Sequence, residues 1–161
     1  MAAQVLTNAT VLLGTAWTGT APGTSSTTSG TINSGSGTYL DATSYIESVG
    51  VDFGATLQDG TTMGSGGFVA QYSGLKQGTF TFTFLADWAA NAIADKLNTV
   101  GLGGTLYIDV KPTSSARGST NPSYVGAVLL SSLPFMSVQV GNLNKIQVSW
   151  TTTGDFRTLT S

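Results

Sequence analysis

The sharpest pattern in the chain is TFTFTFLADWAANAIADKL, residues 79–97. Side chains of a strand alternate between its two faces, so Phe80, Phe82 and Phe84 share one side and Thr79, Thr81 and Thr83 the other. Three rings on one face predict a core strand. The spacing then changes to threes and fours through Trp88, Ala92, Ile93, Leu97 and Val100, which predicts an amphipathic helix over about 88–99. Asp87 is the expected N-cap and Gly101 the residue that closes the helix. Its Trp/Ile/Leu stripe is expected to pack on the sheet.

Strand patterns occupy much of the rest. VLTNATVLL (5–13) reads as a first strand. In the segment from Tyr39, Asp41 can cap a short turn carrying Tyr45 and Ile46, and Val49, Val51 and Phe53 then alternate with Gly50, Asp52 and Gly54 in a strand ending near Leu57. After the glycine-rich connector DGTTMGSGGF, residues Phe68–Tyr72 predict a strand and SGLKQG a turn leading into the Phe/Thr strand. TLYIDVKP is a strand with Leu106, Ile108 and Val110 on one side. TSSARGSTNPS is a polar loop limited by Pro112 and Pro122. YVGAVLLSSLPF is a strand broken at Pro134. MSVQVGNLNKIQVSWTT suggests a hairpin-like pair around GN, with Ile146, Val148 and Trp150 on one face. TGDFRTLTS is expected to be a short tail whose Phe156 and Leu159 could dock on a neighbour. The total is eight or more strands and one helix, a mainly β chain of a length that suits one domain over 1–161.

One stretch departs from this rhythm. Between Gly14 and Thr38 every residue is Gly, Ser or Thr except Ala16, Trp17, Ala21, Pro22, Ile32 and Asn33. The composition fits either a mobile loop or a long hairpin that orders when a neighbour packs on it, with Thr27–Ile32 as a strand within it.

Composition narrows the chemistry. Charged residues make up 9% of the 161, against about 25% in an ordinary globular protein, so solubility rests on Ser, Thr, Asn and Gly. Such a surface is easily desolvated against a partner. Six basic and eight acidic residues give a formal charge of −2 and no polybasic stripe for phosphate backbones. There is no histidine and no cysteine, so the commonest general bases and nucleophiles at neutral pH are missing, as are thiolate metal ligands and disulfides. No two carboxylates share a short motif. Asp52 and Asp59 flank a loop, Asp87 caps a helix, Asp95 precedes Lys96 and Asp109 lies mid-strand. A glycosidase-type pair would have to be assembled from distant acids. The connector DGTTMGSGGF lacks the lysine and hydroxyl pair of a phosphate-binding loop. The expectation is a chain without enzymatic activity, metal or cofactor. VLLGTA near the N-terminus lacks the basic flank of a signal peptide, and no apolar run approaches the roughly 20 residues of a membrane-spanning helix. Asp52 or Asp109, if either faced a channel in a ring, would repel nucleic acid and let it slide; otherwise each is a solvent-facing strand position.

The order strand, glycine loop, strand, helix carries a resemblance. DGTTMGSGGFVAQYSGLKQGTFTFTFLADWAA, LYIDVKPTSSARGSTNPSYVGAVLLSSLPF and the ending VSWTTTGDFRT resemble the major tail tube proteins of long-tailed, non-contractile bacteriophages, particularly those of actinobacterial hosts. The likeness spans roughly residues 45–157, and its most specific pieces are the G-G-F before a strand, the G-L-K-x-G turn and the V-K-P…N-P-S-Y-x-G segment. It implies a two-sheet β-sandwich with one flanking helix, and protomers in hexameric rings stacked into a tail tube that conducts DNA during ejection. It also implies a tape-measure protein, tail-tip proteins and a terminator protein as partners, and residence in the virion tail after synthesis in the host cytoplasm. In the family a long loop and the termini bridge successive rings. Carried over, that makes Gly14–Thr38 the candidate inter-ring arm, with Trp17 and Ile32 as its anchors, and Phe156 and Leu159 further contacts. Asp52 and Asp109 become the candidate lumen-facing acids. A ring of six would multiply the −2 charge sixfold, which disfavours DNA adhesion. Two other readings fit a small β protein. One is a capsid decoration or tail-terminator protein; the other is a β-sandwich carbohydrate-binding module using Trp17, Tyr39, Tyr72 and Tyr124.

Overall fold

A computed structural model describes residues 8–22, 29–66, 68–134 and 141–160. It is mainly β, in the order β1 (Thr10–Gly14), β2 (Trp17–Thr18), β3 (Thr31–Ile32), β4 (Tyr39–Asp41), β5 (Ile46–Asp59), β6 (Gln71–Leu85), α1 (Ile93–Val100), β7 (Thr105–Lys111), β8 (Ser123–Leu129) and β9 (Lys145–Leu159). Seven strands form one antiparallel sheet, ordered β4-β1-β7-β8-β9-β6-β5, and β2 pairs with β3 separately.

Strand β9 turns this sheet into a sandwich. Its first half, Lys145–Thr151, pairs with Leu85–Thr79 of β6, whereas Thr152–Leu159 pairs with Val128–Ser123 of β8. The handover coincides with a register shift between Gly126 and Val128 and with Gly154 at φ 78°. Bulges of this kind bend a strand and raise its twist, which lets one strand serve two layers. Close packing at the bend needs glycine: a Cβ on Gly126 would lie 2.8 Å from the Phe80 ring, and one on Gly78 2.9 Å from the Thr152 methyl.

The predicted phenylalanine face is the centre of the core. Phe80, Phe82 and Phe84 are fully buried with Trp150, and the Phe82 ring lies 5.2 Å from Phe84 and 5.8 Å from Trp150. Ile146 and Val148 of β9 join them, opposite Val11, Leu13, Leu106, Ile108, Val110 and Val128 of the other layer. Ile93, Ala94 and Leu97 of the helix pack on the same cluster. Burying a side chain of this size contributes about 1.5–3 kcal/mol each, which makes the strand's parity the strongest determinant of the fold.

Several local expectations need correction. The helix starts at Ile93, not 88, because Ala89 closes a turn onto the Asp87 carboxylate (N–H to Oδ1 2.9 Å) and Asn91 sits at φ 68°. Asp87 is therefore a turn residue, and Trp88 is 52% exposed instead of lying in the helix stripe. Gly101 does end the helix, its N–H donating to the Leu97 carbonyl at 3.1 Å. SGLKQG is not a turn. It lies inside β6, and the paired strand starts at Gln71, after Phe68 and Val69. Of TGDFRTLTS, the residues through Leu159 are not a tail but the second half of β9. The strand expected over Thr27–Ile32 is limited to Thr31–Ile32 among the described residues, and Thr27 and Thr28 lie outside them, as does the first half of the hairpin proposed around GN.

Candidate assembly surfaces

Two surfaces stand out once the core is assigned. The first is the outer face of β5, β6 and the first half of β9. Pairing places Ser48 opposite Thr83, Gly50 opposite Thr81 and Asp52 opposite Thr79, and β9 continues the same rows with Gln147, Ser149 and Thr151. Among these nine residues Asp52 is the one ionisable group, and it is exposed. Beyond this face, β5 forms the edge of the sheet, and no strand among the described residues pairs with its outer side along its 14 residues. An edge of that length is a template for another strand.

The second surface is a projecting hairpin. The ladder between β5 and β6 continues to Asp59 opposite Gln71, whereas β9 leaves β6 at Thr79. From Gly54 to Gln77 the two strands thus stand as a ribbon without a third strand. Its large apolar side chains are open: Leu57, Met63, Phe68, Val69, Tyr72 and Leu75, with Met63 and Leu75 at 106% and 83% exposure. A two-stranded ribbon is marginal in water, and an apolar set of this size on a soluble monomer marks a contact site. The hairpin connection is tied by Asp59, whose Oδ1 accepts from the Thr61 hydroxyl (2.6 Å) and backbone N–H (2.8 Å). The Thr61 hydroxyl and then its N–H hold the Asp59 carboxyl below its ordinary value. Because the folded value is the depressed one, this turn is favoured above about pH 4 and loosens as pH falls below that.

Sequence reasoning missed this arm. Its residues fit neither a period of two nor one of 3.6, and the interleaved Gly and Ser resemble a connector. The available signal was the scatter of Phe68, Val69 and Leu75 through a segment whose polarity otherwise says loop.

The expected contact residues already have partners within the protomer. Trp17 and Ile32 face each other across β2 and β3, and both are used within the protomer. Ile32 is buried, and Trp17 sets its ring 5.8 Å from Tyr107 while its Nε1–H donates to the Ser29 carbonyl at 2.8 Å. The described parts of Gly14–Thr38 therefore form a strap on their own sheet, closed by Thr15 N–H to Thr38 O at 2.9 Å. Phe156 packs on Phe53 with ring centroids 4.4 Å apart, and Leu159 pairs with Ser123 in the sheet.

Asp109 is 2% exposed and is not an open charge. It accepts a hydrogen bond from the Ser123 hydroxyl and pairs with Arg117 at 3.2 Å. The other guanidinium nitrogen donates to Gly30 O at 3.0 Å, so one arginine ties the strap to the sheet. Asn121 shapes the loop that delivers Arg117, accepting from Thr113 N–H at 3.0 Å and donating to Ser115 O at 2.8 Å. Removing Arg117 leaves a buried carboxylate with Ser123 alone. Arg117→Ala is expected to lower unfolding free energy by about 2 kcal/mol in a urea titration and to loosen the strap, read as faster amide exchange at Gly30–Ile32.

No group of three or more Asp, Glu, His or Cys side chains with metal-binding geometry occurs among the described residues. A cleft of about 630 Å³ is lined by Asn8, Ala9, Thr43, Ile46, Glu47, Ser48, Val49 and Ser114. Its one ionisable lining residue, Glu47, is held by Lys145 at 2.5 Å. Of the aromatic residues considered for sugar binding, Trp17 is packed on Tyr107, Tyr39 lies across Gly14 from Tyr107 in the same row of the sheet, Tyr124 meets Phe53 edge-on, and Tyr72 stands on the arm. No helix among the described residues is long and apolar enough to cross a membrane.

The architecture has a counterpart among solved structures. A chain from the virion of a native gene transfer agent particle superposes with a TM-score of 0.55 at 11% identity, over 74% of this chain and 88% of that one. No protein-family model and no curated protein sequence matches the chain.

Proposed function

We propose that the protein is a non-catalytic virion structural subunit that assembles into hexameric rings, stacked into the tail tube of a long-tailed phage or phage-like particle. The observation that carries this reading is the long unpaired edge of β5 bordering a sheet face that is almost free of charge. Ring closure would pair that edge with a neighbouring copy, which removes its aggregation hazard. The Ser/Thr/Gln face, with Asp52 as its acid, would then line the lumen. DNA sliding past it would meet hydroxyls and a repeating negative charge, and the one lysine at the end of the β9 row, Lys145, is already paired with Glu47. The arm Gly54–Gln77 takes the bridging role that the sequence reading gave to Gly14–Thr38. The shared fold with a virion chain supports a place in a particle. DNA, a tape-measure protein, tail-tip proteins and a terminator protein are the partners this role requires, and the virion tail is the location.

Negative-stain microscopy of the purified protein, concentrated alone and with tail-tip proteins, tests the assignment. Hollow tubes or six-fold rings with a regular axial repeat are expected. Persistent monomers under both conditions, trimers that decorate capsids, or a monomer that binds a glycan array would overturn it.

A further inference from the structure

Asp59–Gly60 is the one place in the chain where an aspartate or asparagine is followed by glycine, and it lies at the end of β5, where the arm turns back. A main-chain nitrogen that belongs to glycine has no side chain beside it to hinder attack on the preceding carboxyl, and closing that five-membered ring is the first step of isoaspartate formation. The fold calls for both members of the pair. Asp59 supplies the oxygen that accepts from the Thr61 hydroxyl and N–H. Gly60 lies against Tyr72, and a Cβ at position 60 would run into that ring. Asp59 and Thr61 are exposed, so water reaches the site.

The same contacts keep the reacting atoms apart. The Gly60 N–H donates to the Ala70 carbonyl at 2.9 Å, which occupies the nitrogen that would attack. The Asp59 carboxyl is turned forward onto Thr61, and those bonds favour its ionised form, which has no hydroxyl to lose. The Thr61 hydroxyl also accepts from the Ala70 N–H at 3.1 Å, so one side chain fastens both sides of the turn. Hydrogen bonds at the exposed end of a ribbon open locally, at a cost well below that of global unfolding.

We propose that Asp59–Gly60 is a self-modification site, converting to isoaspartate when the Thr61 clasp opens, and that Thr61 sets the rate. In the open state the Gly60 nitrogen bonds to Asp59 Cγ, and its proton leaves with the hydroxyl of the protonated carboxyl as one water. A second water then opens the succinimide ring. Attack at Cγ restores aspartate, whereas attack at the Asp59 main-chain carbonyl carbon leaves the chain running through Cγ. One water is released and one consumed, so the product keeps the mass of the starting chain and needs no other reactant. Its main chain is one atom longer between Asp59 Cα and Gly60, which disrupts the Asp59–Gln71 pairing and the Thr61 bonds together. The chemistry holds whether or not the protein forms tubes.

Storage of the full chain in neutral buffer, followed by labelling with an isoaspartate methyltransferase, reads the product, and a protease that cuts before aspartate but not before isoaspartate places it. Thr61→Val is expected to accumulate isoaspartate roughly fivefold faster than wild type, and the urea-unfolded chain faster still. Thr61→Ser, which keeps the hydroxyl, is expected to stay at the wild-type rate. Asp59→Glu, whose longer side chain closes no five-membered ring, is expected to give no product. All three variants are expected to keep the wild-type unfolding midpoint, because neither residue belongs to the core cluster. Equal rates in wild type and Thr61→Val would overturn the role of Thr61. Product that persists in Asp59→Glu, or its absence from the unfolded wild-type chain, would overturn the site itself.

Discussion

Phe82→Ala is expected to lower the free energy of unfolding by about 3–5 kcal/mol, a large share of the 5–15 kcal/mol available to a typical domain. The ring is fully buried between Phe80, Phe84 and Trp150, in a layer whose opposite wall is formed by other strands. Truncation leaves a cavity that rigid strands on both sides fill poorly. Thr81→Ala, one residue away on the outward face, is the control and is expected to change stability by about 0.5 kcal/mol or less. Urea titrations of the two variants measure the difference directly. A small loss for Phe82→Ala would mean that the faces of β6 are reversed, and with them the assignment of the Thr face to the lumen.

The second large effect falls on assembly and not on folding. Excising Thr56–Leu75 and joining Ala55 to Lys76 through Asn-Gly exploits an existing pair, since Ala55 and Lys76 already oppose each other. A two-residue turn of that composition matches the twist of an antiparallel pair. No excised residue belongs to the core cluster, so the shortened protein is expected to unfold cooperatively at a midpoint close to that of the full chain. Stacking is expected to disappear, leaving single rings or protomers by microscopy and sedimentation. Full-length tubes from the excised protein would show that the arm is dispensable and that the bridging contact lies elsewhere. Deleting Ser25–Gly37, within the segment that the tail tube resemblance made the candidate inter-ring arm, would instead remove Ile32 and the Gly30 carbonyl held by Arg117, and is expected to harm the protomer itself.

These two experiments also separate what can be read along the chain from what cannot. The alternation of Phe80, Phe82 and Phe84 with threonine was legible because period-two burial is a local property of a strand. So was the pairing of Ile146, Val148 and Trp150 with a buried face. The helix start was misjudged because an aspartate before an apolar repeat serves equally well as an N-cap or as the anchor of a turn. Asn91 in the left-handed region decided for the turn.

Asp109 shows the limit more clearly. Its sequence neighbours, Ile108 and Val110, fixed it to the face opposite the core, and on an isolated strand that face is solvent. Whether it stays exposed depends on a loop eight residues away and on a strap from the other end of the chain, which bring Arg117 and Gly30 onto it. The same strap buries Ile32 and gives Trp17 partners within the protomer. Conversely, Leu57, Phe68 and Leu75 become conspicuous only because β9 departs from β6 at Thr79, leaving the end of the ribbon without a neighbour. Sequence alone determined the β-rich class, the core face of β6, the helix stop at Gly101 and a surface poor in charge, because each follows from residue type and short-range spacing. Tertiary structure decided which segment is the strap and which the arm, because exposure depends on which distant strand lies alongside, and that is a property of the assembled sheet.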